Sequence, residues 1–175
     1  MDNRVKLTDY QKDFLAAQKY LQHIVIGYTV SSENLKDVSG EFHPIGKWDY
    51  GAVAVLVKGY KSEYPDKEVI VVYLTKELSE KIINHSDEEI AEKGWIEAKK
   101  LCNDLPNEYL NIKVIKRELA IPILEVGRFK GAAKFLAQQA SPVFFVGDYL
   151  TIPCIEGCIF TAQKATQSII EDNLS

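Results

Sequence analysis

The sequence is poor in the residues and patterns that most often indicate a function. It has three histidines and three cysteines (Cys102, Cys154 and Cys158) in 175 residues, without the second Cys or His pair that a zinc site needs. Its 21 basic and 25 acidic residues are interspersed, which argues against nucleic acid as the main partner. No apolar run approaches the roughly 20 residues that cross a bilayer, and the polar N-terminus lacks a signal-peptide core. These absences predict a cytoplasmic protein with reduced thiols and no metal site.

Residues 1–123 alternate between helix and strand signals, in a composition ordinary for one globular domain or one domain plus a fragment. Helix starts are marked by Thr8, by Thr75 and by the capping-box pair Ser86 and Glu89. These signals predict helices over 8–20, 76–83 and 86–104. Stretches rich in β-branched and aromatic residues predict strands over 20–30, 52–60, 68–75 and 109–123. The pattern indicates an α+β part, with an antiparallel or mixed sheet covered by helices on one face.

Residues 124–175 follow a different pattern. A small-residue helix is predicted over 129–140, then an apolar strand in "SPVFFVGD", then a closing helix over 155–172. We expect Val143 to Val146 to be buried on both faces, as in a parallel α/β sheet. Such a strand has no parallel neighbour elsewhere in the sequence, which is the first indication that a piece of the fold is missing.

The junction between that strand and the closing helix has the chemistry of a ligand site. Gly147 would stand at the carboxyl end of the strand, where parallel sheets bind ligands, and Asp148 could accept hydrogen bonds from a sugar or ribityl hydroxyl. Glu156 and Gly157 open the helix, whose free N–H groups favour an anion or an electron-rich edge. The alternative is that Gly147-Asp148 is only a turn and Gly157 only a residue at a helix start.

The stretch "VFFVGDYLTIPCIEGCIFTAQKATQSII" resembles the C-terminal flavin-binding segment of the flavin-containing amine oxidase superfamily, which includes protoporphyrinogen oxidases and carotenoid desaturases. The preceding "LAIPILEVGRFKGAAKFL" is similar to the strand and loop before that segment. The resemblance covers residues 6–172, and its specific part is the C-terminal stretch. It implies that 1–123 is similar to a substrate domain. It also implies that 124–175 is a strand-helix segment of an FAD-binding α/β domain whose N-terminal Rossmann part is absent.

The resemblance implies FAD as the cofactor, held together with a partner or a missing N-terminal domain. Asp148, after Gly147, would contact the ribityl or pyrophosphate part of FAD. The backbone of Ile155, Glu156 and Gly157 would face the N1/O2 edge of the isoalloxazine, where a positive helix end stabilises negative charge on the reduced ring. The resemblance assigns no catalytic residue.

The sequence also departs from the family pattern. No GxGxxG turn occurs in residues 1–30, so the part that binds the ADP half of FAD is lacking. Thr161 and Ala162 replace a Ser-Gly pair, Cys154 stands where amine oxidases have an aromatic cage residue, and Gln22 falls near the position of their flavin-facing lysine. The Thr161-Ala162 change is mild, whereas the departures at Cys154 and Gln22 count against amine oxidation and favour a hydrophobic substrate such as a polyene or a tetrapyrrole.

Two hypotheses follow. In the first, the chain is part of a split or truncated FAD-dependent oxidoreductase, completed by a separate dinucleotide-binding subunit and inactive alone. In the second, it is a non-enzymatic binding or interaction module, monomeric or homodimeric, that holds a hydrophobic small molecule or a partner subunit.

The histidines, the aromatic residues and the basic residues give weaker indications of a functional site. His23, His43 and His85 lie far apart and lack a nucleophile partner, although His23 on a strand could face a substrate. Four aromatic residues form core or the wall of a hydrophobic cavity: Phe42, Trp48, Tyr50 and Tyr60. Three basic residues are too few to predict a phosphate or membrane-surface site: Arg128, Lys130 and Lys134.

Overall fold

The computed structural model describes residues 7–35, 51–59, 65–138 and 143–174. In these ranges the helices are α1 (Asp9–Ala16), α2 (Lys76–Ile82), α3 (Asp87–Leu101), α4 (Arg128–Leu136) and α5 (Ile155–Leu174). The strands are β1 (Tyr20–Ser31), β2 (Ala52–Gly59), β3 (Lys67–Leu74) and β4 (Asn111–Pro122). Short 3-10 turns cover Ser32–Asn34 and Asp148–Leu150. None of the helices in these ranges combines the length and apolar character that crossing a bilayer requires.

The chain forms two compact units. The first, which we call the strand unit, is Gln22–Ala120. The second, the terminal unit, combines Met1–Leu21 with Ile121–Ser175. The N-terminal helix thus belongs with the C-terminal segment, whereas the sequence pattern groups it with residues 1–123. The assignment of one part to a substrate and the other to a flavin stays a prediction.

The four strands form one sheet in the order β2-β3-β1-β4. β2 and β3 pair antiparallel as the predicted hairpin, and β3 pairs antiparallel with β1. The Leu110 N–H donates to the Thr29 carbonyl and the Ile123 N–H to the Lys19 carbonyl, so β4 also runs antiparallel to β1. The prediction of an α+β fold with an antiparallel sheet is therefore confirmed.

One face of the sheet is buried under α2 and α3. Side chains at alternate positions of β1 and β3 are fully buried, as a strand with one covered face requires: Ile24, Ile26, Tyr28, Val30, Ile70, Val72 and Leu74. The Tyr28 hydroxyl donates to the Ala91 carbonyl of α3 at 2.6 Å. A Cβ on Gly94 would meet the Ile26 Cδ1 and lie 2.7 Å from the Tyr28 hydroxyl oxygen, so glycine lets α3 approach the sheet.

The predicted helix starts are confirmed. Thr8 and Ser86 form capping boxes with Gln11 and Glu89, and the Thr75 hydroxyl accepts from the Leu78 N–H. Three helices are shorter than predicted, and α4 is one of them, since it ends at Leu136 rather than at residue 140. Helix α1 ends at Ala16 because the chain becomes extended in β1, and α3 ends at Leu101 because the next residue adopts an extended conformation.

The predicted strand at 143–146 is wrong. Only Val143 makes a single bridge, residues 144–146 have no regular secondary structure, and Val146 is 47% exposed rather than buried. A parallel strand needs hydrogen-bonded neighbours, and the described ranges contain no strand that extends beside this segment. The closing helix, in contrast, forms as predicted. The core of the terminal unit is instead a small cluster of Phe14, Ala132, Phe135 and Leu150.

Candidate functional site

The turn at Gly147 is held by the closing helix. Gly147 has φ 146°, which side chains rarely adopt, and a Cβ there would lie 2.6 Å from the Tyr149 ring. Its N–H donates to the Thr161 Oγ1 at 3.0 Å. Thr161 is fully buried, and its hydroxyl lies 3.1 Å from the Gly157 carbonyl oxygen, to which it can donate. Thr161 thus connects the two glycine positions of the candidate site.

The family pattern identifies Thr161 only as a substitution and does not predict it as a site residue. The sequence signal for Thr161 is its spacing from the other small residues of α5. Gly157, Thr161 and Ala165 lie four residues apart and form the buried stripe of α5. A hydroxyl in a buried stripe needs a partner nearby, which here is the Gly147 turn.

Asp148 lies directly after this turn. It is half-buried and is the first residue of the short 3-10 turn Asp148–Leu150. Its backbone carbonyl accepts from the Thr151 N–H at 3.1 Å. The residue therefore has a structural role through its backbone, whereas the predicted contact of its carboxylate with a ribityl hydroxyl stays a prediction.

The start of α5 is open. Ile155 is 75% exposed, Glu156 is exposed, and the first intrahelical hydrogen bond runs from the Cys158 N–H to the Cys154 carbonyl. The N–H groups of residues 155–157 precede that bond, so the helix supplies no acceptor for them. The Glu156 carboxylate accepts from its own backbone N–H and from Cys154, and these bonds lower the pKa of Glu156. The Glu156 N–H, one of these three groups, is therefore already bonded to the carboxylate of the same residue.

Packing within the chain requires glycine at position 157. A Cβ at this position would collide with the carbonyl oxygen of Ile152 and lie 2.8 Å from the Thr151 Cγ2. The loop 151–152 therefore packs directly against the first turn of α5. The sequence predicts that a ligand approaches the backbone at Gly157, but the side on which a side chain would project is filled by the loop.

Helix α5 has a second apolar stripe that faces away from the buried one. Ile159 is 52% exposed and Ile170 is 54% exposed. They line a shallow groove along the helix with Ala162, Gln163, Thr166, Gln167 and Glu171. A surface helix ordinarily has one apolar stripe, and apolar residues on two faces are typical of a helix covered on both sides.

His23 lies in the strand unit. It is half-buried on β1, and its ring stacks on Tyr73 with 6.0 Å between ring centroids. Burial lowers the pKa of His23, opposed by a backbone hydrogen bond at Leu74. His85, at the start of α3, is partly exposed, with its Nδ1 3.2 Å from the Lys93 Nζ. The structure thus does not bring these two histidines into one site.

The remaining predicted residues are scattered. Cys102 is buried, Cys154 is half-buried and Cys158 is exposed. Gln22 is half-buried at the start of the strand unit. His43 and the four aromatic residues proposed as core or cavity wall lie outside the described residues: Phe42, Trp48, Tyr50 and Tyr60.

Comparison with known proteins gives a similarity of structure. No protein-family model matches the sequence, and no curated protein does. The chain is similar to the 2.06 Å crystal structure of the "Putative protoporphyrinogen oxidase from Exiguobacterium sp. 255-15", with a TM-score of 0.65 and 14% identity. The likeness is one of fold. It covers 89% of this chain but only 36% of the Exiguobacterium chain, which is consistent with the resemblance described above.

Proposed function

We propose that the chain is the substrate domain and C-terminal flavin-contacting segment of an FAD-dependent oxidoreductase. The observation that carries the proposal is the uneven coverage of the structural match. Nearly the whole chain, 89%, is similar to 36% of a protein named as a protoporphyrinogen oxidase. In this proposal the strand unit contacts the substrate, and the terminal unit contacts the cofactor.

The start of α5 fits the ring edge of a flavin better than a phosphate. Ile155 and Glu156 are exposed at the start of α5, whereas Gly157 is buried, and the helix dipole there favours electron-rich groups. The Glu156 carboxylate at the same place would repel a phosphate, whereas the N1/O2 edge of an oxidised isoalloxazine carries no formal charge. Asp148 would accept hydrogen bonds from the ribityl hydroxyls. When bound, the flavin would supply the redox chemistry by accepting a hydride.

The partner in this proposal is a separate polypeptide that carries the GxGxxG turn. Two features of the terminal unit support a covering protein: the open apolar stripe on α5 and the exposed side chain of Val146. Both features are apolar surfaces that a soluble protein ordinarily covers. The substrate in this proposal is hydrophobic, such as a polyene or a tetrapyrrole, because the amine-oxidase cage and lysine positions hold Cys154 and Gln22.

Co-expression tests the proposal. The chain is co-expressed with a polypeptide from the same genome that contains GxGxxG but lacks a C-terminal segment of its own, and the purified material is examined for flavin absorbance. We expect a complex that retains flavin, whereas the chain purified alone retains none. A folded chain that retains no flavin with any such polypeptide would exclude the proposed function.

A substitution pair tests the role of the α5 stripe in the complex. Ile159→Glu places a charge on the stripe and should prevent complex formation. Ile96→Glu is the matched control, because Ile96 is also 52% exposed but lies on α3 of the strand unit. A chain that forms homodimers without flavin, and loses them in Ile159→Glu, would instead favour the non-enzymatic interaction module.

A further inference from the structure

Arg128 is anchored in the terminal unit by two contacts to one residue. It is the first residue of α4, and its Nη1 donates to the Phe14 carbonyl at 2.8 Å. Its guanidinium carbon lies 3.5 Å from the centroid of the Phe14 ring. A guanidinium held by both a hydrogen bond and a cation–π contact has a fixed orientation. The directions of its remaining N–H groups are therefore fixed as well.

The other edge of this guanidinium has no partner. The Nε and Nη2 atoms are closed to solvent and make no hydrogen bond within the structure described here. Together they are the edge of the arginine fork that binds two oxygens of one oxyanion side by side. Buried charged donors without acceptors are rare because burial removes their water without replacing it. An unpaired edge of this geometry therefore indicates a missing oxyanion.

The surroundings of Arg128 are aromatic. The hydroxyls of Tyr10, Tyr20 and Tyr149 interact electrostatically with the guanidinium, as does the carboxylate of Glu125. Tyr10 is already engaged, since its hydroxyl donates to the Gly131 carbonyl at 2.8 Å. Burial raises the pKa of Tyr149, so its hydroxyl stays protonated and can donate. Tyr20 and Tyr149 are thus the two of these tyrosines whose hydroxyls make no hydrogen bond within the described residues.

The nearby cations are engaged elsewhere. The Lys19 Nζ pairs with the Glu125 Oε1 at 2.7 Å, and the Lys134 Nζ lies 4.1 Å from the centroid of the Tyr10 ring. The Glu125 carboxylate also interacts with the Arg128 guanidinium, but it is the partner of Lys19 in that ion pair. Arg128 therefore supplies a positive charge whose Nε and Nη2 atoms have no partner among the described residues. One positive charge neutralises a carboxylate, but it would leave a phosphate dianion with excess negative charge among apolar rings.

We propose that the Nε/Nη2 edge of Arg128 binds the carboxylate of an apolar organic acid, with the hydroxyls of Tyr20 and Tyr149 as additional donors. Because the edge is closed to water, entry requires a side-chain movement. Tyr149 is the neighbour best placed to move, since it lies in the short 3-10 turn Asp148–Leu150 rather than in a long helix. This site does not depend on flavin binding, so it can be tested on the chain alone.

The test uses NMR of the arginine Nε–H groups in the full chain, with 3-phenylpropionate and inorganic phosphate as probes. The chain has three arginines, so their signals can be assigned by substitution. We expect phenylpropionate to shift the Arg128 signal with saturation, and the Arg117 signal to stay in place. Arg117 is exposed on β4 and serves as the internal control.

Two variants complete the test. Arg128→Lys keeps the charge but loses the fork, and we expect its affinity for phenylpropionate to fall about tenfold or more. Tyr149→Phe keeps the ring and the fold but removes one donor, and we expect a smaller loss of affinity. No shift of the Arg128 signal with phenylpropionate in a folded chain, or a shift with phosphate alone, would overturn the proposal. Equal binding by the wild type and Arg128→Lys would also overturn it.

Discussion

The buried hydroxyl of Thr161 accepts a hydrogen bond from the N–H of Gly147, with 3.0 Å between the nitrogen and the Oγ1. This bond joins the start of the Asp148 turn to the middle of α5. Replacing Thr161 with valine keeps the shape but leaves the Gly147 N–H without its acceptor. We expect Thr161→Val to lower the free energy of unfolding by about 1–3 kcal/mol.

Denaturation in urea measures this loss, and Thr161→Ser is the matched control because it keeps the hydroxyl. Serine should preserve the hydrogen bond and lose only the contribution of one methyl group, which is about 1 kcal/mol. If valine is tolerated as well as serine, the hydroxyl does not hold the turn.

Gly157→Ala should be destabilising because the new Cβ would collide with the Ile152 carbonyl. The loop 151–152 would have to move away from α5, at a cost of about 1–3 kcal/mol. Gly27→Ala is the control, since the nearest atom to a Cβ there is 3.9 Å away. Thermal unfolding of both variants compares them directly. A Gly157→Ala protein as stable as Gly27→Ala would show that the loop does not pack as described.

Gly94→Ala should separate α3 from the sheet. The Cβ would meet the Ile26 Cδ1 and approach the Tyr28 hydroxyl oxygen to 2.7 Å, so we expect a loss of about 1–3 kcal/mol. Ile26→Val removes the Cδ1 atom and should recover part of that loss in the double variant. A double-mutant cycle by urea denaturation measures this coupling. Purely additive effects would contradict the close approach.

The lowered pKa of His23 makes stability depend on pH. Because burial lowers the pKa in the folded state below the ordinary value of 6.5, the unfolded state binds the proton more readily. The contribution is fully present above about pH 6.5 and is lost as the pH falls toward the folded-state pKa. We expect His23→Gln to reduce this dependence in urea denaturation between pH 7.5 and 5. An NMR titration of the His23 ring with a midpoint above 6.5 would refute the assignment.

The local features of the fold could be predicted from the sequence. Thr8, Thr75 and Ser86 mark helix starts because a capping hydroxyl bonds to an N–H only three residues away. The alternating burial of β1 follows from the period of a strand. Both signals lie within a few residues, so they are visible without knowledge of distant contacts.

The features that were missed depend on distant residues. Phe14 packs on Phe135 with 4.9 Å between ring centroids, and this pair places α1 with α4 in the terminal unit. No local pattern connects positions so far apart in the sequence. The apolar segment at 143–146 was predicted as a strand for a related reason: composition indicates a buried environment, but pairing needs a neighbour that these described ranges lack.

The strand unit is a continuous stretch of chain, and the residues that flank it on the two sides are paired. The Ile123 N–H donates to the Lys19 carbonyl at 2.8 Å, so the chain leaves the terminal unit and returns to it at paired backbone positions. The terminal unit is therefore formed by both ends of the chain, and Gln22–Ala120 lies between two neighbouring backbone positions. Segments that begin and end at neighbouring positions can be lengthened or shortened without changing the distance that the flanking backbone must span.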